Sequence, residues 1–169
     1  MKKQALEVTL YKKVYRILNH STPLSFDCGN LCNKKCCDID SKKGMLLFPG
    51  EEYLFKNITD FTLKPTNIFI DSNIRIMQVS CNGQCNRNQR PLSCRIFPFF
   101  PYLNKNDSIT IVPDFRAIDI CPLLKYDYKI NKKFIKKVQL SFKLLSKDNN
   151  IKNFLKIMAK EFDEFLKFY

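Results

Sequence analysis

The chain has 169 residues and a formal net charge of +13, and 45% of its residues are hydrophobic. This length suits one domain and is short for two, because domains usually have about 100 to 200 residues. Only four glycines are present, none in a phosphate-binding pattern, which excludes the usual glycine-rich nucleotide-binding folds. The single histidine, His20, argues against a Ser-His-Asp triad and against a histidine-rich metal site.

The positive charge is concentrated towards the two ends of the chain. Residues 1–20 carry five basic side chains against one acidic, and residues 125–169 carry twelve lysines against five acids. Clustered lysines can bind nucleic acid, because their contacts with phosphate groups release counterions from the nucleic acid. Lysines that alternate with apolar residues at helical spacing are also typical of a solvated helix face. We favour the solvated face and do not expect a nucleic-acid partner.

The N-terminal segment has helical periodicity from residue 5 to about residue 19. Its apolar residues recur at three- and four-residue intervals: Leu6, Leu10, Val14, Ile17 and Leu18. No apolar stretch approaches the ~20 residues needed to cross a bilayer, and no apolar segment of a secretory signal follows the basic N-terminus. We therefore expect a cytoplasmic protein without a membrane span.

The middle of the chain changes character several times. From Phe26 to Lys43 the periodicity is lost, and Asp, Asn, Gly and Cys dominate, which is typical of a loop. Residues 48–55 predict a short helix with two carboxylates in its first turn, where the helix dipole favours negative charge. Segments 74–79 and 108–112 are β-prone, and we expect them to pair as a small antiparallel sheet.

The C-terminal part predicts two amphipathic helices separated by Asp148-Asn149-Asn150, which offers a helix cap. The first apolar stripe comprises Phe134, Ile135, Val138, Phe142 and Leu145. The second stripe comprises Ile151, Phe154, Leu155, Met158, Phe162, Phe165 and Leu166. Stripes of this kind usually pack on the core of a domain.

Cysteine is the most informative residue type in this chain. The eight cysteines fall into two sets of four along the sequence: Cys28, Cys32, Cys36 and Cys37, then Cys81, Cys85, Cys94 and Cys121. In a reducing compartment such thiols are expected to bind metal rather than to form a disulfide framework. Eight thiolates suit two tetrahedral sites for zinc or iron. A thiol redox role and a purely structural zinc role stay open as alternatives.

The sequence does not assign ligands to sites. Cys36 and Cys37 are adjacent, and because neighbouring side chains generally diverge, either the two serve different sites or one of them is a spare thiol. Arg90 and Arg95 flank Cys94, where guanidinium groups would offset thiolate charge or, as the alternative, bind an anionic ligand. Four nearby aromatic residues are expected to form an apolar wall around the site: Phe97, Phe99, Phe100 and Tyr102. Asp114 and Arg116 are expected to form a structural ion pair or turn.

The cysteine run that ends in Cys36-Cys37 and the string R-P-x-x-C-R-x-F-P from Arg90 to Pro98 resemble the YkgJ-type cysteine-cluster family. Its members are described as zinc- or iron-chelating domains, and the resemblance spans residues 28 to about 124. The family includes flagellin lysine N-methylases, whose similar cysteine core is associated with an iron–sulfur cluster and methyl transfer from S-adenosylmethionine. That implies, as an alternative, a lysine methyltransferase acting on a flagellin-like protein. Against it, the chain has no evident glycine-rich S-adenosylmethionine loop.

Together these observations predict one α+β domain over residues 1–169, mostly helical, with a small antiparallel sheet. A loop-rich metal–thiolate centre occupies residues 26–124, and helices at 5–19 and 131–168 flank it. The predicted function is the binding of zinc or iron, including a 4Fe-4S cluster, by the eight cysteines, with Arg90 and Arg95 beside the ligands. The predicted partners are metal ions and a protein partner.

Overall fold

The computed structural model describes residues 2–37, 44–81, 83 and 85–168, and these ranges contain five α-helices and five strands. The helices are α1 (Lys2–Ile17), α2 (Leu92–Ile96), α3 (Pro122–Lys125), α4 (Lys132–Leu145) and α5 (Asn149–Leu166). The strands are β1 (Met45–Leu46), β2 (Phe61–Ile70), β3 (Ile74–Cys81), β4 (Phe99–Leu103) and β5 (Ile109–Pro113). Short 3-10 turns lie at Cys28–Leu31, Lys35–Cys37, Glu51–Leu54, Arg87–Gln89 and Phe115–Ala117.

The three long helices form where the periodicity predicts them. The cap between α4 and α5 is confirmed, because the Asp148 carboxylate accepts hydrogen bonds from the backbone N–H groups of Asn150 and Ile151 at 2.8 and 3.2 Å. Asn131 caps α4 in the same way, accepting from the Lys133 N–H at 2.9 Å. These side chains satisfy N–H groups that the first turn of a helix leaves without partners.

The main apolar core is built largely by α1, α4 and α5, and we call it the helical core. Its buried members on these helices are Tyr11, Val14, Phe134, Val138, Phe142, Leu145, Ile151, Phe154, Leu155 and Met158. They surround Phe48, whose ring centroid lies 4.8 Å from that of Phe142 and 5.6 Å from that of Phe154. Two residues of the predicted stripes are exposed instead, Leu6 at 71% and Leu166 at 55%. Ile17, Phe162 and Phe165 also lie outside this core.

The strands at 74–81 and 109–113 are confirmed, but their predicted pairing with each other is wrong. β3 is the centre of a three-stranded antiparallel sheet with the order β1-β3-β2, whereas β5 pairs with β4 in a separate hairpin. The sequence reading missed β2 and β4, each of which contains a proline. Pro65 lies where the register of β2 shifts, and Pro101 lies in a two-stranded sheet whose strands both have a free edge.

These elements make a single α+β domain with small antiparallel sheets, as the sequence predicts. The predicted helix at 48–55 is a single 3-10 turn at Glu51–Leu54, entered through Gly50 at φ 85°, a conformation that favours glycine. The predicted loop from Phe26 is described as far as Cys37, and residues 38–43 lie outside the described residues. Among the helices described, none has both the length and the apolar character that a membrane crossing requires.

Candidate metal centre

The first four cysteines lie on a short segment folded by its own turns. The Asp27 carboxylate accepts from the Gly29 N–H at 3.0 Å and caps the turn at Cys28–Leu31. The Lys34 N–H then donates back to the Gly29 carbonyl at 2.9 Å, and the backbone of Lys34 is left-handed, with φ 57°. The reversal leads into the second turn, Lys35–Cys37. This path brings cysteines that are four residues apart to the wall of one cavity.

The other cysteines are attached to regular structure. Cys81 ends β3 and lies opposite Phe61 of β2, while Cys94 lies within α2. Cys121 caps α3, whose first residue is a proline. Gly44 lies beside β3, where any side chain would collide with the Val79 carbonyl, so the close approach of these two chain segments requires glycine.

Five cysteines line a cavity of about 80 Å³ that we call the strand cavity, because β3 forms part of its wall. They are Cys36, Cys37, Cys81, Cys85 and Cys94. The apolar part of the lining includes Phe61, Val79 and Phe97. A water-sized particle needs only ~10–15 Å³, so the strand cavity has room for an ion and its ligand atoms.

A second cavity, of about 50 Å³, adjoins the first, and we call it the turn cavity because the two 3-10 turns form part of its wall. Its cysteines are Cys28, Cys32, Cys36, Cys37, Cys94 and Cys121. Four cationic side chains also line it: Lys34, Arg87, Arg90 and Arg95. The two cavities share Cys36, Cys37, Cys94, Arg90 and Phe97.

Each group of neighbouring thiols combines cysteines of one sequence set with a single cysteine of the other. Burial raises the pKa of Cys94, and the neighbouring Cys37, Cys85 and Cys81 raise it further. Burial likewise raises the pKa of Cys28 to about 11, with added contributions from Asp27, Cys121 and Cys32. The strand cavity therefore groups Cys37 with three cysteines of the second set, and the turn cavity groups Cys121 with cysteines of the first.

Cys36 and Cys37 lie where the two groups meet. A hydrogen bond from Cys36 lowers the pKa of Cys37, and the nearby Arg90 and Lys34 lower it further. The same hydrogen bond raises the pKa of Cys36, together with burial and with Cys32 and Cys28. Cys37, which lies beside the cations, is therefore the easier of the two thiols to deprotonate. Apart from each other, the two adjacent cysteines have different neighbours, as expected for adjacent side chains that point in different directions.

The predicted arginines are beside the thiols, with different tasks. Arg90 lines both cavities and hydrogen-bonds Cys85, while its buried Nε has no hydrogen-bond partner among the described residues. Arg95 donates to the carbonyls of Arg90 and Asn88 at 2.7 and 2.6 Å, which fixes the loop before α2. Arg87 was not anticipated from the sequence; it holds this loop to the Ser21 carbonyl at 3.1 Å.

A buried carboxylate that sequence reasoning missed supports the helix bearing Cys94. Glu51 has no exposed surface and accepts three hydrogen bonds: from the Tyr15 hydroxyl at 2.6 Å, the Leu92 N–H at 2.7 Å and the Phe48 N–H at 3.1 Å. Burial raises its pKa to about 7, against the lowering effect of these donors and of Arg95. The sequence gives no sign of this role, because two of its three partners, Tyr15 and Leu92, come from distant segments.

The predicted aromatic wall is only partly beside the thiols. Phe97 lines both cavities, and the bond between it and Pro98 is cis. Phe99 and Phe100 belong instead to the helical core, and the Tyr102 hydroxyl donates to Asp163 at 2.8 Å. The positions along the chain differ accordingly, since Phe97 is the C-cap of α2 whereas Phe99 and Phe100 lie in β4.

The ion pair expected before Cys121 is present. Arg116 donates from Nε and from its terminal nitrogen to the two oxygens of Asp114 at 2.9 and 2.6 Å. Asp114 is buried, and it also accepts from the Arg116 N–H at 2.9 Å, which caps the turn at Phe115–Ala117. The pair thereby fixes the chain that leads to Cys121.

The donor set suits a thiophilic metal, although the thiols are not closely clustered. All eight cysteines are free. Within the described residues, no group of three or more His, Cys, Asp or Glu side chains is arranged to hold a metal ion. A tetrathiolate zinc site carries a charge of about −2, and the four cations at the turn cavity would offset charge of that sign. The thiol donors thus fit such an ion chemically, but they would have to move closer together to bind it.

Comparison with known proteins finds no matching family model, no similar curated protein and no similar solved structure. The resemblance to the YkgJ-type family therefore stays a prediction. The site is described by its own residues: eight free thiols around two adjoining cavities, with cations beside them.

Proposed function

We propose that this protein binds two thiophilic metal ions, zinc or iron, through its eight cysteines. The observation that carries the proposal is that all eight free thiols line two adjoining cavities, although they come from separate parts of the chain. Buried free cysteine also behaves as a small apolar residue. Such a role does not explain why only Cys121 is buried while four cations share the turn cavity.

The neighbours of each thiol suggest two ligand sets. The first set, at the strand cavity, is Cys37, Cys81, Cys85 and Cys94. The second set, at the turn cavity, is Cys28, Cys32, Cys36 and Cys121. Each set has four thiols, the number that a tetrahedral site with sulfur ligands requires.

Binding would draw the thiols of each set together. The segment from Cys28 to Cys37 has only short 3-10 turns, and most of its residues are exposed. Small movements of such a segment cost little packing energy, and ligation can supply the order that its composition cannot. The metal would then act as part of the fold as well as cargo.

Eight unpaired thiols need a reducing environment, so we further propose that the protein works in the cytoplasm. The resemblance to the YkgJ-type family supports the same metals. It does not decide between zinc ions and an iron–sulfur centre, because thiolate ligands suit both.

The proposal is tested by purifying the full chain anaerobically and measuring zinc, iron, acid-labile sulfide and the visible absorption spectrum. We expect either about two zinc ions per chain in a colourless protein or iron with sulfide in a brown one. Iron with sulfide would direct the next assay to S-adenosylmethionine binding, the alternative that the resemblance implies. Protein that contains neither metal, and takes up neither under reducing conditions, would rule the proposal out.

Paired substitutions test the two ligand sets. Cys81→Ser with Cys85→Ser removes two thiols that line only the strand cavity, and Cys28→Ser with Cys32→Ser removes two that line only the turn cavity. Each pair should lower the metal content by about half. Ser80→Ala is the matched control, because Ser80 lines the strand cavity beside Cys81 without a thiol. Loss of all metal from either pair would show that the two sets are not separate.

A further inference from the structure

The two ligand sets differ in how firmly the chain holds them. In the first set, Cys81 is anchored by the pairing of β2 with β3, and Cys94 by α2, whose first N–H is bound by Glu51. In the second set, three of the four thiols belong to the segment Cys28–Cys37, which has no strand pairing. The described neighbours of that segment in the apolar core are few; Cys28 packs beside Leu24 and Leu123.

Exposure differs in the same direction. All eight cysteines are described, and Cys36 is the exposed one among them. Cys36 lines both cavities and lies between two exposed lysines and Cys37, in the sequence Lys34-Lys35-Cys36. No carboxylate in the described part of the chain forms an ion pair with either lysine. An incoming thiolate would therefore meet the exposed Cys36 in a positively charged setting.

We propose that the turn-cavity site exchanges its metal ion with thiol-bearing acceptors, and that Cys36 is the ligand that leaves first, while the strand-cavity site exchanges its ion much more slowly. This inference rests on the proposed function. The proposed activity is metal transfer in addition to metal binding, and the proposed acceptor is a thiol that carries negative charge nearby. Four protein ligands fill a structural zinc site, and an exposed ligand is the one that an incoming thiolate can reach and displace.

The exchange is a substitution of one sulfur by another. The acceptor thiolate forms a bond to the ion as the Cys36–metal bond breaks, and the proton that the acceptor thiol gives up passes to Cys36 through solvent. The oxidation state of the metal and of both sulfurs is unchanged, so no oxidant or reductant takes part. Repetition at Cys32, Cys28 and Cys121 would complete the transfer.

The first experiment uses the unmodified protein as purified, with its metal in place. It is treated with limiting iodoacetamide, and alkylated cysteines are identified by mass spectrometry while released metal is measured. We expect Cys36 to be alkylated at least tenfold faster than Cys81 or Cys94, with loss of about half of the metal. Equal labelling of all cysteines, or faster labelling of Cys81 or Cys94, would overturn the inference and leave the metal content, hence the proposed function, intact.

The second experiment follows zinc transfer from the zinc-loaded full chain to excess glutathione, a small anionic thiol, with a zinc-binding dye as indicator. Two phases of about equal amplitude are expected, and Cys36→Ser should accelerate the fast phase at least tenfold with the slow phase unchanged. Cys81→Ser is the matched control and should alter the slow phase. Release in one phase from the unmodified protein, or a Cys36→Ser effect on the slow phase, would contradict the inference.

Discussion

The helical core and the cysteine centre, the eight cysteines with their two cavities, are ordered by different interactions. In the helical core, large apolar side chains from α1, α4 and α5 are almost completely buried around Phe48. In the cysteine centre, the chain runs through 3-10 turns, and order comes from caps and from arginine bonds to backbone carbonyls. Burial orders the first region, whereas in the second the segment from Cys28 to Cys37 is mostly exposed and has little apolar surface to bury.

The difference explains why the fold can be read from local patterns in one region and not in the other. An apolar stripe encodes both the helix and the face that it buries. The spacing of the cysteines indicates that thiols are available as ligands, but it does not indicate which thiols lie together in the fold. Glu51 joins the two regions, since it binds Tyr15 of α1 on one side and the first N–H of α2 on the other.

Metal removal should produce the largest difference between the helical core and the cysteine centre. Structural zinc–thiolate sites contribute on the order of 10 kcal/mol, comparable to the net stability of a domain, so a chelator should remove order from the cysteine centre. Amide hydrogen exchange is the measurement. We expect protection to fall in residues 28–37 and 85–96 and to persist in α4 and α5. Unchanged exchange in both regions would show that no metal orders the centre.

A cavity in the helical core should produce the next largest effect. Phe142 is completely buried against Phe48, so Phe142→Ala should lower the free energy of unfolding by about 3–5 kcal/mol, measured by urea denaturation. Leu140→Ala is the control on the same helix, because Leu140 is 50% exposed and should change it by less than about 0.5 kcal/mol. Equal effects of the two substitutions would contradict the assignment of the core.

Much of the helical core could be predicted, and much of the sheet could not. The positions of α4, α5 and the Asp148 cap follow from local periodicity and capping chemistry. The pairing of β3 with β1 and β2 depends on contacts between segments far apart in the chain, which no short pattern encodes. Proline in β2 and β4 further hides strands that tolerate it only at a bulge or a free edge.

For the candidate site, the residue types could be predicted but the grouping could not. All eight cysteines line the two adjoining cavities, and Arg90 lies among them as expected. Cys37 and Cys121 each lie with cysteines of the other sequence set. This grouping depends on how the turns after Cys28 pack against the segment before Cys121. Arg87 and Glu51 were missed because their roles depend on tertiary partners, the Ser21 carbonyl and the Tyr15 hydroxyl.

Glu51 should make stability depend on pH. Burial raises its pKa from 4.5 to about 7, so between these values the folded state binds a proton that the unfolded state does not. Stability from this group is therefore present below about pH 4.5 and is lost as the pH rises through about 7, by roughly 3 kcal/mol in total. Glu51→Gln does not titrate and should lack this contribution.

The measurement is urea denaturation from pH 4.5 to pH 8 with reductant and chelator, so that metal binding does not contribute. Between pH 4.5 and 7, the unmodified protein should lose stability relative to Glu51→Gln. Ser93→Ala is the control, because Ser93 is a buried, non-titrating residue of α2 and its profile should run parallel to that of the unmodified protein. Parallel profiles for Glu51→Gln as well would contradict the prediction.

The smallest effect is expected at the Asp148 cap, and it asks whether the two regions share their stability. Asp148→Ala leaves the N–H groups of Asn150 and Ile151 without their side-chain acceptor, which should cost about 1 kcal/mol in urea denaturation. Because Asp148 lies in the helical half and lines neither cavity, metal affinity should be unchanged if the centre is ordered by its own ligands. A fall in affinity of about fivefold, the equivalent of the same 1 kcal/mol, would show instead that the helical core and the cysteine centre unfold as one unit.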